Sequence, residues 1–233
     1  GFAFLPYANK ALQDAEDGKQ ILRDLKGIKI GNLHVGVTYS MGPVLVSALE
    51  PFTKVYPNIR LRITFGTSEE LLHLLENNGL DILLSFQPEG ICDGFERVPL
   101  FQSRLYFIVH ESHPLSTLSS ITLKRLSETP LILPERGFAT RKKIEELCLK
   151  HQLTFTVGME INDVHTILHI LKGGYWATVL TQAAVSNEAG LVQIPILCAD
   201  RLTSQGYLFW PQGTYRKKAA VAFAAFLLEA GRK

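Results

Sequence analysis

Apolar positions along this chain follow two periods. Between Pro6 and Lys26, residues Tyr7, Ala11, Leu12, Ala15, Ile21, Leu22 and Leu25 recur at helical spacing with charged residues between them, and Gly27 supplies a stop. An amphipathic helix this long at a chain end either packs on something outside its own domain or docks on the core, and the pattern allows both. From Asn32 the rhythm is that of βα units: a strand over 32–37, a helix over 43–55, a strand over 59–65, a helix over 69–77 and a continuously apolar strand over 80–86. Thr67 and Ser68 are N-cap candidates for the second of these helices, with Glu69 and Glu70 in its first turn. Strands separated by single helices imply a parallel sheet with right-handed crossovers.

Beyond Phe95 the rhythm changes. The pattern predicts a long strand over 100–110, an HPL turn at 113–115, and a second βα set. That set runs as helix 123–127, strand 131–133, helix 140–151, strand 154–160, helix 164–172, strand 177–180 and a short strand at 191–194. A second long strand over 201–210 and a closing helix over 215–228 complete the chain. Two βα sets joined by two long strands predict an α/β fold of two Rossmann-like lobes with a central cleft, the closing helix returning to the first lobe. No Pro/Gly/Ser linker or low-complexity tract interrupts it.

Composition narrows the function. With 46% hydrophobic and 20% charged residues in 233, the chain can bury a core, which excludes a disordered chain or a coiled-coil rod. No apolar run approaches the ~18–20 residues that span a bilayer, so no membrane partner is expected. The net charge of +2 traces to the C-terminal segment, where Arg216, Lys217, Lys218, Arg232 and Lys233 face Glu229 alone. The globular body is slightly acidic and is a poor nucleic-acid binder by itself. Cys92, Cys148 and Cys198 are odd in number, widely spaced and without a CxxC pair. That spacing argues against a disulfide framework or a structural zinc site and for a reducing compartment. No secretory signal opens the chain.

The stretch Val37-Thr38-Tyr39-Ser40-Met41-Gly42 lies between a strand and a helix, where hydroxyls and free backbone N–H groups collect at the carboxyl end of a parallel sheet. Thr67 and Ser68 repeat the design on a neighbouring strand, and Gly137-Phe138-Ala139-Thr140-Arg141 repeats it in the second set. Each Ser or Thr can equally cap its own helix; convergence of the turns on one crevice favours an anion site. Arg141 reads either as a ligand charge or as a solvated first-turn arginine. His165 and His169 lie i, i+4 on one helix but lack an HExxH or a third ligand, so no metal site is expected there. Walker, GxSxG and GxGxxG motifs are missing, and the crevice turns offer hydroxyls rather than acid–base pairs; the reading is a non-enzyme without cofactor.

These blocks, in order, resemble the effector-binding region of LysR-type transcriptional regulators. The resemblance covers the whole chain: LHVGVTYSMG, then FTKVYPNIRLRITFGTSEELLHLLENNGLDILLSF, the HPL turn, LILPERGFATRKKIEELC, EINDVHTILHILKGGYWATVL and GLVQIPI. It implies a periplasmic-binding-protein-like fold of type II, with residues 1–28 as a linker helix, 29–102 and 206–233 as lobe I and 103–205 as lobe II. A winged helix-turn-helix would precede the linker and is absent from this chain, so DNA would be met only through that missing domain. The effector-contacting positions carried over are Thr38, Ser40, Thr67, Ser68, Phe138 and Thr140; Tyr39, within the first turn, and Trp176, near a presumed lobe edge and otherwise a packing residue, complete the expected site. Where the family often has GxGIALLP, Trp176 replaces the second Gly and Thr181 the Pro. The implied protein is a cytoplasmic homodimer or homotetramer that binds a small anionic metabolite between its lobes. The alternative is a solute-binding receptor of a transport system with the same two-lobed fold.

Overall fold

The structure, a computed structural model, describes residues 4–25, 30–86, 94–185 and 188–232. Cys92 lies outside them, as do residues 26–29 between the first helix and the first strand. The elements are α1 (Leu5–Leu25), β1 (Gly31–Thr38), a 3-10 turn (Tyr39–Met41), α2 (Gly42–Val55), β2 (Ile59–Gly66), α3 (Ser68–Glu76), β3 (Ile82–Phe86) and β4 (Phe95–His110). Next come β5 (Ile121–Thr122), α4 (Leu123–Ser127), β6 (Leu131–Pro134), α5 (Ala139–His151), β7 (Val157–Ile161) and α6 (Val164–Leu171). The chain ends with β8 (Ala177–Thr181), α7 (Gln182–Val185), β9 (Leu191–Leu197), β10 (Thr203–Pro211) and α8 (Lys218–Ala230).

Strand order runs β2-β1-β3-β10-β4-β8-β6-β7, with β9 on the other edge of β4. β1 pairs in parallel with β2 and β3, and β6 in parallel with β7 and β8. β4 is antiparallel to β10 from Phe95 opposite Pro211 to Arg104 opposite Thr203. At Leu105 it changes partners: β8 takes one edge, with Leu105 opposite Thr181, and β9 the other. Both parallel sets therefore end, at their carboxyl edges, near the level where β4 passes from one to the other. This is the two-lobed α/β architecture, with β4 and β10 as the crossing strands.

Each sheet is buried on both faces. In the first lobe Val35, Phe52, Phe223 and Leu227 form one core between sheet, α2 and α8, and Leu71, Leu75, Leu83 and Phe209 form the other under α3. In the second, Phe107, Leu133, Ile144 and Ile194 lie beneath α4 and α5, while Ile108, Leu168, Leu171 and Leu180 lie beneath α6 and α7. All five residues of β3 are buried, which is why its sequence is apolar apart from Ser85, whose hydroxyl is paired with that of Ser68.

Among the boundaries that differ from the sequence pattern, those of β4, β7 and α8 do so for a long-range reason. β4 begins at Phe95 because β10 pairs with it along its whole first half. β7 begins at Val157 because the Thr156 N–H donates to the Ser127 carbonyl (3.1 Å) and its own carbonyl accepts from Leu131 N–H (2.8 Å), tying that stretch to the end of α4. α8 begins at Lys218 because Asp24 of α1 caps it. Asp24 is buried, and one of its oxygens accepts from Lys218 N–H (2.8 Å) and from the Tyr215 hydroxyl (2.9 Å). A carboxylate at a helix N-terminus is favoured by the peptide dipoles as well as by the hydrogen bond. The contact anchors the end of α1, while Tyr7, Leu12, Leu22 and Leu25 remain exposed.

Arg141 is neither a ligand charge nor a solvated residue. It is 6% exposed and donates to Glu145 (3.0 Å), Glu160 (2.7 Å) and the Pro134 carbonyl (3.2 Å), tying α5 to β6 and β7. Arg141→Met is expected to lower unfolding free energy by about 1–3 kcal/mol, since a buried carbonyl and two carboxylates lose a charged donor; urea denaturation measures it.

His113 is buried in the turn after β4, where its Nδ1 accepts from Leu115 N–H (3.1 Å). Burial holds its pKa below the ordinary 6.5, and His34 is depressed likewise by burial and by the nearby Arg62. A base depressed in the folded state contributes stability that is whole above its unfolded pKa and is lost as pH falls below it. Stability is therefore expected to decline between roughly pH 7 and pH 5.5, and the decline to be shallower in His113→Asn. Urea midpoints across that range test this.

Candidate functional site

The junction between lobes is bounded by the turns that follow β1, β2 and β6. Thr38 ends β1, and its hydroxyl makes a long contact to the Leu84 carbonyl (3.5 Å). Tyr39 follows it and is stacked on Phe65 of β2 (centroids 5.6 Å apart) and on Phe138 of the second lobe (5.7 Å). Offset ring pairs of this kind contribute about 0.5–1.5 kcal/mol beyond their buried area. The turns before α2 and α5 thus touch through aromatic faces. A second approach is at Gly137, whose φ of +100° suits glycine; a Cβ there would stand 3.5 Å from the Thr67 methyl. A third is the ion pair from Lys142 of α5 to Glu69 of α3 (2.9 Å), exposed enough to contribute little energy.

The helix starts at this junction fall into two kinds. α3 is closed by a capping box: the Thr67 hydroxyl accepts from Glu70 N–H, and the Glu70 carboxylate accepts from Thr67 N–H (2.9 Å). These bonds hold the Glu70 carboxyl below its ordinary range. Ser68 is also occupied, paired with the Ser85 hydroxyl at 2.9 Å. α6 is closed by Asp163, which accepts from His165 and Thr166 N–H groups. α2 and α5, by contrast, have no side-chain cap; Met41 and Phe138 stand at those positions. Beside these open starts lie Ser40 (6% exposed) and Thr140 (4% exposed), largely buried residues whose hydroxyls have no hydrogen-bond partner among the described residues yet are not sealed off as that of Thr181 is. Thr181, opposite Leu105, is buried with its hydroxyl unsatisfied. Buried polar groups without partners are uncommon and costly, by about 1–3 kcal/mol each.

Two cavities open here. One of about 360 Å³ is lined by Tyr39, Gly42, Pro43, Phe65, Asp163 and His165 among others. The other, of about 440 Å³, lies against α5 and the crossing strands, lined by Gln102, Ala139, Lys142, Lys143, Arg201 and Gln205 among others. Three basic side chains against Glu146 give the second cavity a positive lining; Asp163 and Glu188 give the first an acidic one.

Of the residues singled out from sequence, Thr38, Tyr39, Ser40, Thr67, Ser68, Phe138 and Thr140 all lie on the three turns at the junction. Trp176 stands apart. It precedes Ala177, which pairs with Val109, four residues along the strands from the Leu105–Thr181 pair at the crossing. Its ring rests on Gly158 of β7, where an added Cβ would come within 2.4 Å of it. Phe65, the third ring of the stack, escaped the sequence reading because it sits at an ordinary strand position. Lys143 and Arg201 escaped it because only the tertiary fold sets α5 beside the start of β10.

Comparison with known proteins gives a consistent picture. The profile of the LysR substrate binding domain family matches residues 27–232. The HTH-type transcriptional activator CmpR of Synechocystis is 29% identical over 79% of this chain and 63% of its own length. The RuBisCO operon transcriptional regulator of Allochromatium vinosum is 24% identical over 97% of this chain and 76% of its own length. This chain thus spans about two thirds to three quarters of those relatives. Among solved structures, the Synechocystis CcmR regulatory domain in complex with 2-PG superposes with a TM-score of 0.77 at 22% identity, covering 87% of this chain and 98% of that one. The effector binding domain of QuiR in complex with shikimate gives 0.74 at 21%, covering 88% and 98%. By fold, by the order of its motifs and by that match, the chain belongs to the LysR substrate-binding domain family.

Proposed function

We propose that this domain senses a small anionic metabolite bound between its lobes, and that α2, α5 and the residues at their starts hold it. One observation carries this reading: α2 and α5 are helix starts at the junction without a side-chain cap, and beside each stands a largely buried residue, Ser40 or Thr140, whose hydroxyl has no partner among the described residues. Open N-termini attract negative charge, and each hydroxyl can donate to a ligand oxygen. Lys142, Lys143 and Arg201 favour an anion in the cavity beside α5. Thr38 and Tyr39 shape the same turn, and Phe138 closes it. Thr67 and Ser68 serve as the structural wall opposite Gly137, since their hydroxyls are already engaged. Trp176 is left out of the proposed site. Structural relatives carrying 2-phosphoglycolate and shikimate support a small oxyanion as the ligand class.

The rest of the reading concerns the whole regulator. Residues 1–28 act as a linker helix, 29–102 with 206–233 as lobe I and 103–205 as lobe II. Ligand shifts the arrangement of lobes or subunits, a coupling of about 1–3 kcal/mol being sufficient, and a DNA-binding domain outside this chain reads it out. No bond in the ligand is broken, and the protein acts in the cytoplasm. The exposed apolar residues of α1 support self-association through that helix, as a homodimer or a tetramer built from it. A transport receptor is not favoured, because the relatives are transcriptional regulators.

Thermal unfolding with 2-phosphoglycolate, shikimate and inorganic phosphate tests the site. A ligand at about 100 times its Kd adds about 2.7 kcal/mol, or a Tm rise of about 5–10 °C. Ser40→Ala with Thr140→Ala is expected to keep the basal Tm within a few degrees and to lose that rise; an undiminished rise would overturn the assignment. Leu22→Glu with Leu25→Glu is expected to lower the mass measured by light scattering to that of a monomer, and an unchanged mass would remove α1 from the interface.

A further inference from the structure

Away from the cleft, the last residue of α5 meets the loop between β9 and β10. His151, Cys198 and Asp200 bring one nitrogen, one sulfur and one oxygen within 4.8 Å of one another. His151 Nε2 is 2.5 Å from Asp200 Oδ2, and Cys198 Sγ is 3.3 Å from that oxygen and 3.8 Å from the imidazole nitrogen. The other oxygen of Asp200 is paired with Lys150 Nζ, and Cys198 Sγ also accepts the Asp200 backbone N–H at 3.3 Å. The cluster is partly shielded, with the Asp200 side chain 16% and the His151 side chain 33% exposed.

We propose that His151, Cys198 and Asp200 form a binding site for a divalent transition-metal ion of the zinc class. Imidazole, thiolate and carboxylate together match a borderline-soft cation, whereas calcium or magnesium would call for oxygen ligands throughout. Spacing agrees as well. Tetrahedral zinc with ordinary bond lengths sets its ligand atoms about 3.5 Å apart for S and N, about 3.5 Å for S and O, and about 3.3 Å for N and O. Two of the three separations are already within a few tenths of an ångström of those values. The third opens by under about 1 Å when the imidazole exchanges its contact with Asp200 for the metal. Lys150 then plays the part of the outer partner that orients a ligating carboxylate.

Binding is an acid–base step without electron transfer. The Cys198 S–H bond breaks and the Nε2–H of His151 gives up its proton, the imidazole keeping or taking one on Nδ1; the thiolate and Nε2 then bond to the metal, and the displaced protons leave to solvent. Thiolate and Asp200 carboxylate together neutralise the two positive charges of the ion. Three protein ligands leave the fourth position to water or to an external donor. The ion would join α5 to the loop that leads directly into β10, one of the two strands crossing between lobes. Metal occupancy thereby stiffens a crossing segment. This site does not depend on the cleft reading, since it shares no ligand with it.

Calorimetric titration of the metal-free chain with Zn²⁺ tests the proposal. About one equivalent per chain is expected to bind with release of protons, and Cys198→Ser and His151→Ala each to weaken binding by at least about tenfold. Co²⁺ is expected to give a thiolate charge-transfer band that Cys198→Ser abolishes. In the unaltered protein, which raises no question of folding, Zn²⁺ is expected to protect Cys198 from alkylation while leaving Cys148 as reactive as before. Absence of zinc binding, binding undiminished in both variants, or protection confined to another cysteine would overturn the site.

Discussion

The antiparallel pairing of β4 with β10 is the interaction on which the remainder of the molecule depends. A single strand serves both lobes, and its change of partner between Arg104 and Leu105 decides where one sheet ends and the other begins. Because the parallel strands of both lobes run toward that level, their carboxyl ends face each other, and the helices that follow start there. Convergence of helix N-termini is thus a consequence of topology before any side chain is chosen. Side chains then decide which of those termini remain available. α3 and α6 are closed by their own caps; α2 and α5 are not.

Aromatic packing adds a second layer to the junction. Tyr39 lies between Phe65 from its own lobe and Phe138 from the other, so the lobes meet on apolar ring faces beside unpartnered hydroxyls. Apolar contact is non-directional and tolerates small rotations, whereas a hydroxyl without a partner has free energy to gain from a ligand. The junction therefore joins an adjustable contact to a polar demand, the combination expected of a surface whose geometry depends on what it holds.

Much of this was legible in the sequence, and the exceptions share a cause. The βα rhythm, the two long strands and the turns bearing Thr38, Ser40, Thr67 and Thr140 could be read because hydrophobic period and helix-start chemistry are local. Arg141 was misread because its partners Glu145, Glu160 and the Pro134 carbonyl assemble only once α5 packs on β6 and β7. Thr67 and Ser68 were placed on the correct turn, but sequence could not weigh a ligand against Glu70 and Ser85. Trp176 was placed near a lobe edge with packing as its other reading, and the packing on Gly158 that its ring makes depends on β7 lying beside it, which no local pattern announces. His151, Cys198 and Asp200 carry no motif at all; a loop and a helix end far apart in sequence bring them together.

Asp24 couples the start of the chain to its last helix. One of its oxygens takes both Tyr215 and Lys218, more than 190 residues away, and so α1 is fastened to the body that contains α8. If ligand moves the second lobe about β4 and β10, as proposed, that tie keeps the end of α1 with the first lobe, and a partner that registers the motion must then touch both lobes.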